Sequence, residues 1–253
     1  MDPTVSVDLN CDLGESFGRY ALGEDAAIMP LITSANLACG FHAGDPDVMA
    51  RTVELVKQHG VALGAHPGYP DLQGFGRRQI GLTPGEIRNM IIYQLGALDG
   101  FARVADVPLV HVKPHGALYN LAAVNREVAD AIAQAVFNFD RSLILVGLAG
   151  SLLVKAGESI GLRIANEGFP DRAYLPDGQL MPRDQQSAVI HDPQAVAENA
   201  LVLVKNGMRV DGEKISIDTL CLHGDNELAV ENARAVRKIL SAEGVIISSL
   251  NGK

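Results

Sequence analysis

Apolar and polar positions divide the chain into short runs typical of buried strands, separated by longer amphipathic segments. Seven runs are rich in apolar and β-branched residues and lack charge at most positions, as do strands that are buried on both faces. They occupy residues 4–9, 34–39, 61–66, 109–114, 143–148, 162–167 and 217–222. A final run at 245–250 predicts either another strand or an outer edge strand.

The segments between these runs begin and end with helix-capping residues. Three of them open with a capping side chain directly before a proline, whose missing N–H leaves no hydrogen bond unmade in a first helical turn. The pairs are Asp45-Pro46, Thr83-Pro84 and Asp192-Pro193. After Thr83, Glu86 completes a capping box and apolar residues recur at spacings of three and four as far as Ala102. Helices predicted from 46, 193 and 226 are followed by Gly60, Gly207 and Gly244.

This alternation predicts parallel strands joined by right-handed crossovers, either in an open doubly wound sheet or in a closed barrel. The chain of 253 residues has no Pro- or Ser-rich linker, no charge block and no short repeat, so residues 1–253 are expected to form one domain. With 21 Lys and Arg against 30 Asp and Glu, its formal charge of −9 disfavours binding to nucleic acids and anionic membranes.

The sequence also predicts a cytoplasmic protein. Its first ten residues lack the basic start and apolar stretch of a signal peptide. The longest uncharged apolar stretch, 143–154, is shorter than the roughly 18 to 20 residues of a membrane-spanning helix. Cys11, Cys39 and Cys221 are odd in number and widely spaced, which favours free thiols in a reducing cytosol.

Polar and ionisable side chains collect where the predicted strands end. In parallel α/β folds these carboxyl ends share one rim, where enzymes build their active sites. The residues are Asp8, Asn10, Asp12, Glu15, His42, Asp45, His66, Lys113, His115, Asn166, Glu167, His223 and Asp225. Five of the seven histidines are expected at this rim, namely these four and His111 in the fourth run, whereas His59 and His191 are expected on the surface. Several imidazoles beside carboxylates suit proton transfer or metal binding.

Two chemistries are open for this rim. Asp12, His42 and His66 supply one oxygen and two nitrogens, a donor set that suits Zn²⁺ or a similar divalent ion and leaves positions for water. The same groups equally suit an acid–base network without a metal. Ser16, Ser34 and Ser151 show no adjacent triad pattern, and Gly-Glu-Ser at 14–16 is not enough to indicate a serine hydrolase. GxxxxGK[ST] is absent, so any ATP would be bound by another chain.

Two connections, at 66–82 and 167–187, are longer than most loops of compact domains, and such loops are often functional. They carry the arginine pairs Arg77 with Arg78 and Arg172 with Arg183. Paired N–H donors of arginine hold carboxylates, so these loops are candidates for binding an acidic ligand.

Six stretches of the sequence closely resemble the LamB/YcsF family. They are VDLNCDLGE (7–15), NLACGFHAGD (36–45), GAHPGYPDLQGFGRR (64–78), HVKPHGALYN (111–120), EGFPDRAYLPDGQLMPR (167–183) and LCLHGDN (220–226). They follow the family order from the first predicted strand to the last helix, so the resemblance covers essentially the whole chain.

The resemblance implies a distorted (β/α)7 TIM-like barrel of the glycoside hydrolase and deacetylase type. It also implies a 5-oxoprolinase activity, in which 5-oxo-L-proline (pyroglutamate) is hydrolysed to L-glutamate at the expense of ATP, with partner subunits B and C that bind the ATP or help to bind it. Asp12, His42 and His66 would then position and deprotonate water, directly or through a metal. Lys113 and His115 would stabilise the developing charge and protonate the departing nitrogen.

The substrate-binding set expected on the same basis is Asn10, Arg78, Glu167, Arg172, His223 and Asp225. Two rival functions stay open. One is a stand-alone metal-dependent deacetylase or amidohydrolase, which metal content and independence from ATP would reveal. The other is a non-catalytic subunit that only binds the lactam, in which case activity would survive substitutions at the rim.

Overall fold

Parallel strands close into a seven-stranded barrel in the structure, a computed structural model that describes residues 5–182, 185–210, 212–222 and 228–252. The strands are β1 (Ser6–Leu13), β2 (Ser34–Ala38), β3 (Ala62–His66), β4 (Leu109–Val112), β5 (Ile144–Leu148), β6 (Arg163–Gly168), β7 (Met208–Val210), β8 (Glu213–Ile215), β9 (Thr219–Leu222) and β10 (Ile246–Ile247). The barrel runs from β1 through β6 to β9, which pairs back with β1. This closure confirms the TIM-like fold, and β7 with β8 forms a separate antiparallel hairpin.

Helices connect the barrel strands and begin where the capping residues predict. They are α1 (Asp25–Ile28), α2 (Pro46–His59), α3 (Pro84–Ala105), α4 (Gly116–Val124), α5 (Arg126–Phe139), α6 (Leu152–Ser159), α7 (Pro193–Asn206) and α8 (Ala229–Ala242). Asp45, Thr83 and Asp192 each accept a hydrogen bond from a first-turn amide, and Glu86 completes the capping box. Position 226, the predicted start of α8, lies outside the described residues. Among the helices that are described, none is both long enough and apolar enough to cross a membrane.

The last residues of the chain close the amino-terminal end of the barrel. β10 pairs in parallel with Ser6 and Val7 at the start of β1. A 3-10 helix follows at Leu250–Gly252, and its Leu250 packs against buried side chains of β5 and β6. The run predicted at 245–250 is therefore a two-residue strand and a plug, which leaves the opposite end of the barrel open for a site.

β1 is longer than predicted, because it runs to residue 13 instead of residue 9. Its second half pairs in parallel with Ser34–Leu37 of β2. Side chains of a strand alternate between its two faces, so Asp8, Asn10 and Asp12 share one face and are directed into the barrel. Polar residues on this inner face interrupt the apolar run in the sequence, which is why the pattern ends the strand too early.

His111 also lies inside the barrel. Its ring is fully buried, and Nε2 donates a hydrogen bond of 2.7 Å to Asn36 Oδ1. The ring occupies the space beside Gly64, where a Cβ atom would lie 2.0 Å from His111 Nε2. Burial lowers the pKa of His111 to about 3, so the ring is neutral at pH 7. The expectation that five histidines reach the rim is therefore wrong for His111.

Replacing Gly64 by Ala should destabilise the protein because the new methyl group collides with His111. We expect the free energy of unfolding to fall by about 2–4 kcal/mol, from overpacking and the loss of the bond to Asn36. In a His111→Ala background the same change should cost at least about 1 kcal/mol less. Gly96→Ala in α3 is the control, since nothing lies within 4 Å of its Cβ position. Denaturant unfolding measures the stability of Gly64→Ala, His111→Ala, the double variant and Gly96→Ala. Equal stability of the Gly64 and Gly96 variants would contradict this packing.

Candidate functional site

A cavity of about 450 Å³ opens at the carboxyl-terminal mouth of the barrel. Its charged and histidine lining residues are Asp12, His66, Arg77, Lys113, His115 and Arg172. Its apolar and aromatic lining residues include Tyr119, Ala123, Leu148, Phe169, Leu180 and Met181. The cavity can therefore hold a small ligand that has an apolar ring and polar or charged groups.

Lys113 is surrounded by polar groups at the cavity. Its Nζ lies 2.8 Å from Glu167 Oε1, 3.0 Å from Asp12 Oδ1, 3.1 Å from Cys221 Sγ and 3.2 Å from Asn10 Oδ1. Burial alone would lower the pKa of Lys113, but the two carboxylates outweigh it and hold that pKa well above its usual value. The ammonium group is a permanent positive charge whose protons are engaged.

Both carboxylates around Lys113 are held by further hydrogen bonds. Glu167 is fully buried and accepts from the Tyr119 hydroxyl at 2.7 Å and from Asn10 Nδ2 at 2.9 Å. Asp12 Oδ1 accepts from Asn36 Nδ2 at 2.8 Å. Burial, with the Glu167 charge adding to it, raises the pKa of Tyr119 well above its usual value, so the phenol stays protonated and donating.

Two histidines direct ring nitrogens at each other beside this network. His66 Nδ1 donates to the Lys113 carbonyl oxygen and His115 Nε2 to the Phe75 carbonyl oxygen, each at 2.7 Å. A carbonyl oxygen only accepts, so these two nitrogens carry hydrogens. Burial lowers the pKa of His115 to about 3, and its ring is neutral. The other two nitrogens, His66 Nε2 and His115 Nδ1, face each other at 3.0 Å, the distance of a hydrogen bond.

His42 lies behind this pair. Its ring is parallel to that of His115, with centroids 3.7 Å apart and an interplanar angle of 2°. Its Nε2 is 3.5 Å from Glu15 Oε1, and neither ring nitrogen makes a hydrogen bond to any residue that the structure describes. Burial, then the charges of His115 and His66, hold the pKa of His42 well below its usual value. Neither His42 nor Glu15 is among the described residues that line the cavity.

The cluster fits a divalent cation, with one restriction. One donor atom from each of Glu15, His42, His66 and His115 lies within 4.8 Å of the others, and Asp12 Oδ2 is 3.3 Å from His66 Nε2. The two facing nitrogens at 3.0 Å can share one proton or can both bind a cation beside them. An imidazole lone pair lies in its ring plane, so the parallel rings of His42 and His115 cannot both aim at one ion. The donors of this group that can face one ion together are therefore Glu15, His66 and His115, with Asp12 next to His66.

Outer-shell contacts of the cluster also match a metal site. Ring N–H groups bound to backbone carbonyls orient histidine ligands in many metalloproteins. Gly76 makes this packing tight, since a Cβ atom there would lie 2.8 Å from carbon atoms of both His42 and His115. The predicted donors Asp12, His42 and His66 lie in this cluster together with the predicted catalytic residue His115 and with Glu15.

The other residues predicted for the site fall into three groups. Asn10 and Glu167 belong to the Lys113 network, and Arg172 lines the cavity. Arg78 is not among the described lining residues, because its guanidinium pairs with Asp71. The remaining predictions, His223 and Asp225, lie outside the described residues, as does Arg183. His59 and His191 are exposed, as expected.

Tyr119 is not among the predicted site residues, although its spacing from His115 indicates that it lies close to the site. Tyr119 stands four residues after His115, and that spacing places both on one face of a helix turn. Gly14–Gly18 (GESFG) matches the GxSxG pattern of serine hydrolases, but Ser16 Oγ hydrogen-bonds to the backbone of Leu22. A serine nucleophile therefore has no support at this site.

Comparisons with known proteins agree with the sequence resemblance. The family model described as the LamB/YcsF family matches residues 7–253. The chain is 55% identical over 253 residues to a protein of Syntrophobacter fumaroxidans that is named as the A subunit of 5-oxoprolinase, covering 98% of this chain and 100% of that one. A Pyrococcus abyssi protein with the same name is 54% identical over 250 residues, covering 97% and 98%.

A solved structure extends the agreement to three dimensions. The crystal structure of the Lactam Utilization Protein from Thermus thermophilus superposes with a TM-score of 0.90 at 48% identity, covering 97% of this chain and 100% of that one. Matches of this identity over nearly complete chains leave one assignment: the chain belongs to the LamB/YcsF family.

Proposed function

We propose that this chain is the A subunit of an ATP-dependent 5-oxoprolinase that hydrolyses 5-oxo-L-proline to L-glutamate. Relatives that are 52–56% identical over almost the whole chain are named as the A subunit of 5-oxoprolinase. The observation that carries the proposal is the polar lining of the cavity, where a buried ammonium, a carboxylate and two imidazole rings meet at a space of about 450 Å³. That volume is ample for a five-membered lactam with one carboxylate.

The reaction explains why partners are needed. Net ring opening adds one water across the C5–N bond, with oxygen bonding to C5 and hydrogen to the nitrogen. The lactam is a resonance-stabilised amide, and transfer of the terminal phosphoryl group of ATP to its oxygen, with release of ADP, would activate C5 for attack. After the ring has opened, a second water would release that group as inorganic phosphate and leave the free carboxylate of glutamate. The sequence contains no GxxxxGK[ST] loop to hold the nucleotide, so ATP is assigned to partner subunits B and C.

The residues at the cavity wall divide the chemistry between them. Asp12, His66 and His115 orient the attacking water, and an unprotonated ring nitrogen accepts its proton and returns it to the departing lactam nitrogen. Lys113 acts as a fixed positive charge that stabilises the negative charge of the phosphorylated lactam, because its protons are already engaged by its neighbours and it is not the proton donor. His42 supports His115 by stacking and is a positioning residue.

A divalent ion is compatible with this arrangement. Asp12, Glu15, His66 and His115 would hold it, and when bound it would lower the pKa of a coordinated water. The same set also supports the second candidate function, a stand-alone metal-dependent amidohydrolase, because such an enzyme needs a metal-activated water and no nucleotide. Dependence on ATP and on partner subunits separates the two functions.

Reconstitution tests the proposed function. Mixed with subunits B and C, ATP and 5-oxoproline, the chain should release glutamate, and the chain alone should release none. His66→Ala should lower this rate at least about 100-fold because it removes the proton-accepting nitrogen, whereas the surface variant His59→Ala should match the unaltered chain. Glutamate release by the chain alone would favour the amidohydrolase, and full activity of His66→Ala would favour a subunit that only binds the lactam.

Metal titration tests the donor set. Calorimetric titration of the metal-free chain with Zn²⁺ should give one site. His115→Ala should weaken binding at least about 100-fold, and His42→Ala by no more than about tenfold, because the His42 ring does not aim at the same ion. His59→Ala serves as the matched surface control. Equal losses for the His42 and His115 variants would contradict this donor set.

Removal of the Lys113 charge separates stability from activity. Lys113→Met leaves Asp12 and Glu167 as buried carboxylates without their cation, which should lower the free energy of unfolding by about 3–5 kcal/mol. Adding Glu167→Gln removes one of these charges and should restore at least about 1 kcal/mol, while glutamate release stays lost. Denaturant unfolding and the reconstituted assay measure both quantities. If activity returned together with stability, Lys113 would have only a structural role.

A further inference from the structure

We propose that Gln94, a buried residue of α3, is a positioning residue that holds His42, His66 and His115 in the geometry that the reaction needs. The inference rests on the proposed function and deepens it, because it assigns a role in turnover to a side chain that is not among the described residues lining the cavity. The role follows from the hydrogen bonds of the Gln94 amide, which connect α3 to the segment after β3.

Gln94 is a polar residue on the apolar face of α3. Its neighbours on that face include Ile91, Leu95 and Leu98, and all four residues are fully buried. A primary amide that leaves water costs free energy unless protein groups replace its hydrogen bonds to water. The place of this side chain in the core is therefore explained by the bonds that it makes there.

Both ends of the Gln94 amide are hydrogen-bonded to backbone groups. Oε1 accepts from the Gly68 amide at 2.9 Å, and Nε2 donates to the carbonyl oxygens of Gly68 at 3.0 Å and of Met90 at 3.1 Å. One N–H group and two carbonyl oxygens fit a primary amide in only one orientation, with its nitrogen toward the oxygens. The side chain thus binds both backbone polar groups of Gly68, as the backbone of a neighbouring β-strand does.

The peptide group between Pro67 and Gly68 connects Gln94 to His115. Its N–H group belongs to Gly68 and donates to Gln94, whereas its oxygen belongs to Pro67 and accepts from the His115 amide at 2.9 Å. In a planar trans peptide these two groups point in opposite directions. Gln94 and His115 therefore bind the same rigid unit from its two sides, and a rotation of that unit would break both bonds.

Gly68 also lies directly against His42. A Cβ atom on Gly68 would be 2.6 Å from His42 Nδ1, so the bare backbone of glycine is needed beside this ring. The His42 ring in turn stacks on His115. His66 is joined to Gly68 through Pro67 alone. A displacement of the Gly68 backbone would therefore move all three histidines.

The anchor on the other side of Gln94 is rigid. α3 has 22 residues and begins with a capping box, so Gln94 is held near the middle of a long, well-capped helix. Groups that transfer protons must lie within hydrogen-bond reach of the reacting atoms, and a misplacement of about 1 Å can cost about 100-fold in rate. Gln94 thus fixes the histidines to the most extended helix around the barrel.

Three variants test this role in the complex with subunits B and C and ATP. Gln94→Leu removes both hydrogen-bonding ends, and Gln94→Asn keeps an amide that is one methylene too short to reach Gly68. Both should lower kcat at least about tenfold and leave the KM for 5-oxoproline within about threefold. Gln94→Glu keeps the length, and its buried carboxyl group donates and accepts when protonated, so it should retain at least about three times the kcat of Gln94→Leu.

Leu98→Ala is the matched control, since it removes a buried side chain from the same face of α3 and leaves the hydrogen bonds of Gln94 in place. It should lower the midpoint of denaturant unfolding because it creates a cavity, yet leave kcat within about threefold of the unaltered chain. A loss of activity that only reflected a weakened α3 would appear in this variant as well.

Amide hydrogen exchange of the full chain alone, measured by NMR, tests the bonds without the reaction. In Gln94→Leu the amides of Gly68 and His115 should exchange at least about tenfold faster relative to the amides of β5 in the same sample. The Gly68 amide loses its acceptor, and the His115 amide loses a partner held in place. In Leu98→Ala the same ratio should stay within about threefold of that in the unaltered chain.

Several results would overturn the proposal. They are a kcat within about threefold of the unaltered chain for Gln94→Leu and Gln94→Asn, a rise in KM as large as the fall in kcat, an equal loss of kcat in Leu98→Ala, or a kcat of Gln94→Glu no higher than that of Gln94→Leu. If Gln94→Leu fails to fold, Gln94→Asn replaces it in every comparison. A complex of unaltered chains that consumes no 5-oxoproline would instead contradict the proposed function, and the exchange rates would still decide whether Gln94 holds Gly68 and His115.

Discussion

The ion-pair network of Lys113 with Asp12 and Glu167 is the constraint on which the barrel interior depends. A buried ammonium is tolerated only where oppositely charged groups reach it with good geometry, and here the carboxylates come from β1 and β6 while the lysine follows β4. These strands are far apart in sequence and meet only in the closed barrel. A slip of one residue in β1 would turn Asp12 away from the lysine and leave charges unpaired. The network therefore specifies the register of the barrel as well as the chemistry of its mouth.

The same segment orders the histidines. The amides of Lys113 and His115 donate to the carbonyl oxygens of Ala65 and Pro67, so the chain after β4 continues along the chain after β3. The Lys113 carbonyl oxygen in turn receives the His66 ring hydrogen. One residue thus places a positive charge in the cavity through its side chain and sets a histidine tautomer through its backbone. The pairing of the segments after β3 and β4 therefore positions both the Lys113 ammonium group and the His66 ring, although no local sequence motif links them.

Much of the fold is visible in the sequence because local physics determines it. Proline after a capping side chain marks the starts of α2, α3 and α7, and uncharged runs mark the buried strands. Closure of the sheet is not encoded in any local run, so the alternation alone leaves an open sheet and a barrel equally open. The end of β1 is missed for a related reason, since its inward-facing residues are polar and the sequence pattern there is typical of a loop.

For the site, the sequence predicts which residues lie near one another but not their contacts. Asp12, His66 and His115 are expected at one rim because the carboxyl ends of parallel strands lie there together. The position of Arg78 outside the cavity depends on its ion pair with Asp71, and the role of His42 depends on the plane of its ring. These contacts form only in the folded protein, so residue spacing along the chain does not predict them.

The most direct test of the central claim is a crystal structure of this chain with 5-oxoproline bound. The account predicts that the lactam lies in the cavity at the mouth of the barrel, with C5 within about 4 Å of a water contacted by Asp12, His66 or His115. Its ring should rest against Phe169 and Leu148, which are among the apolar residues that line the cavity. A lactam bound elsewhere, or bound in the cavity with C5 turned away from the histidines, would contradict the account.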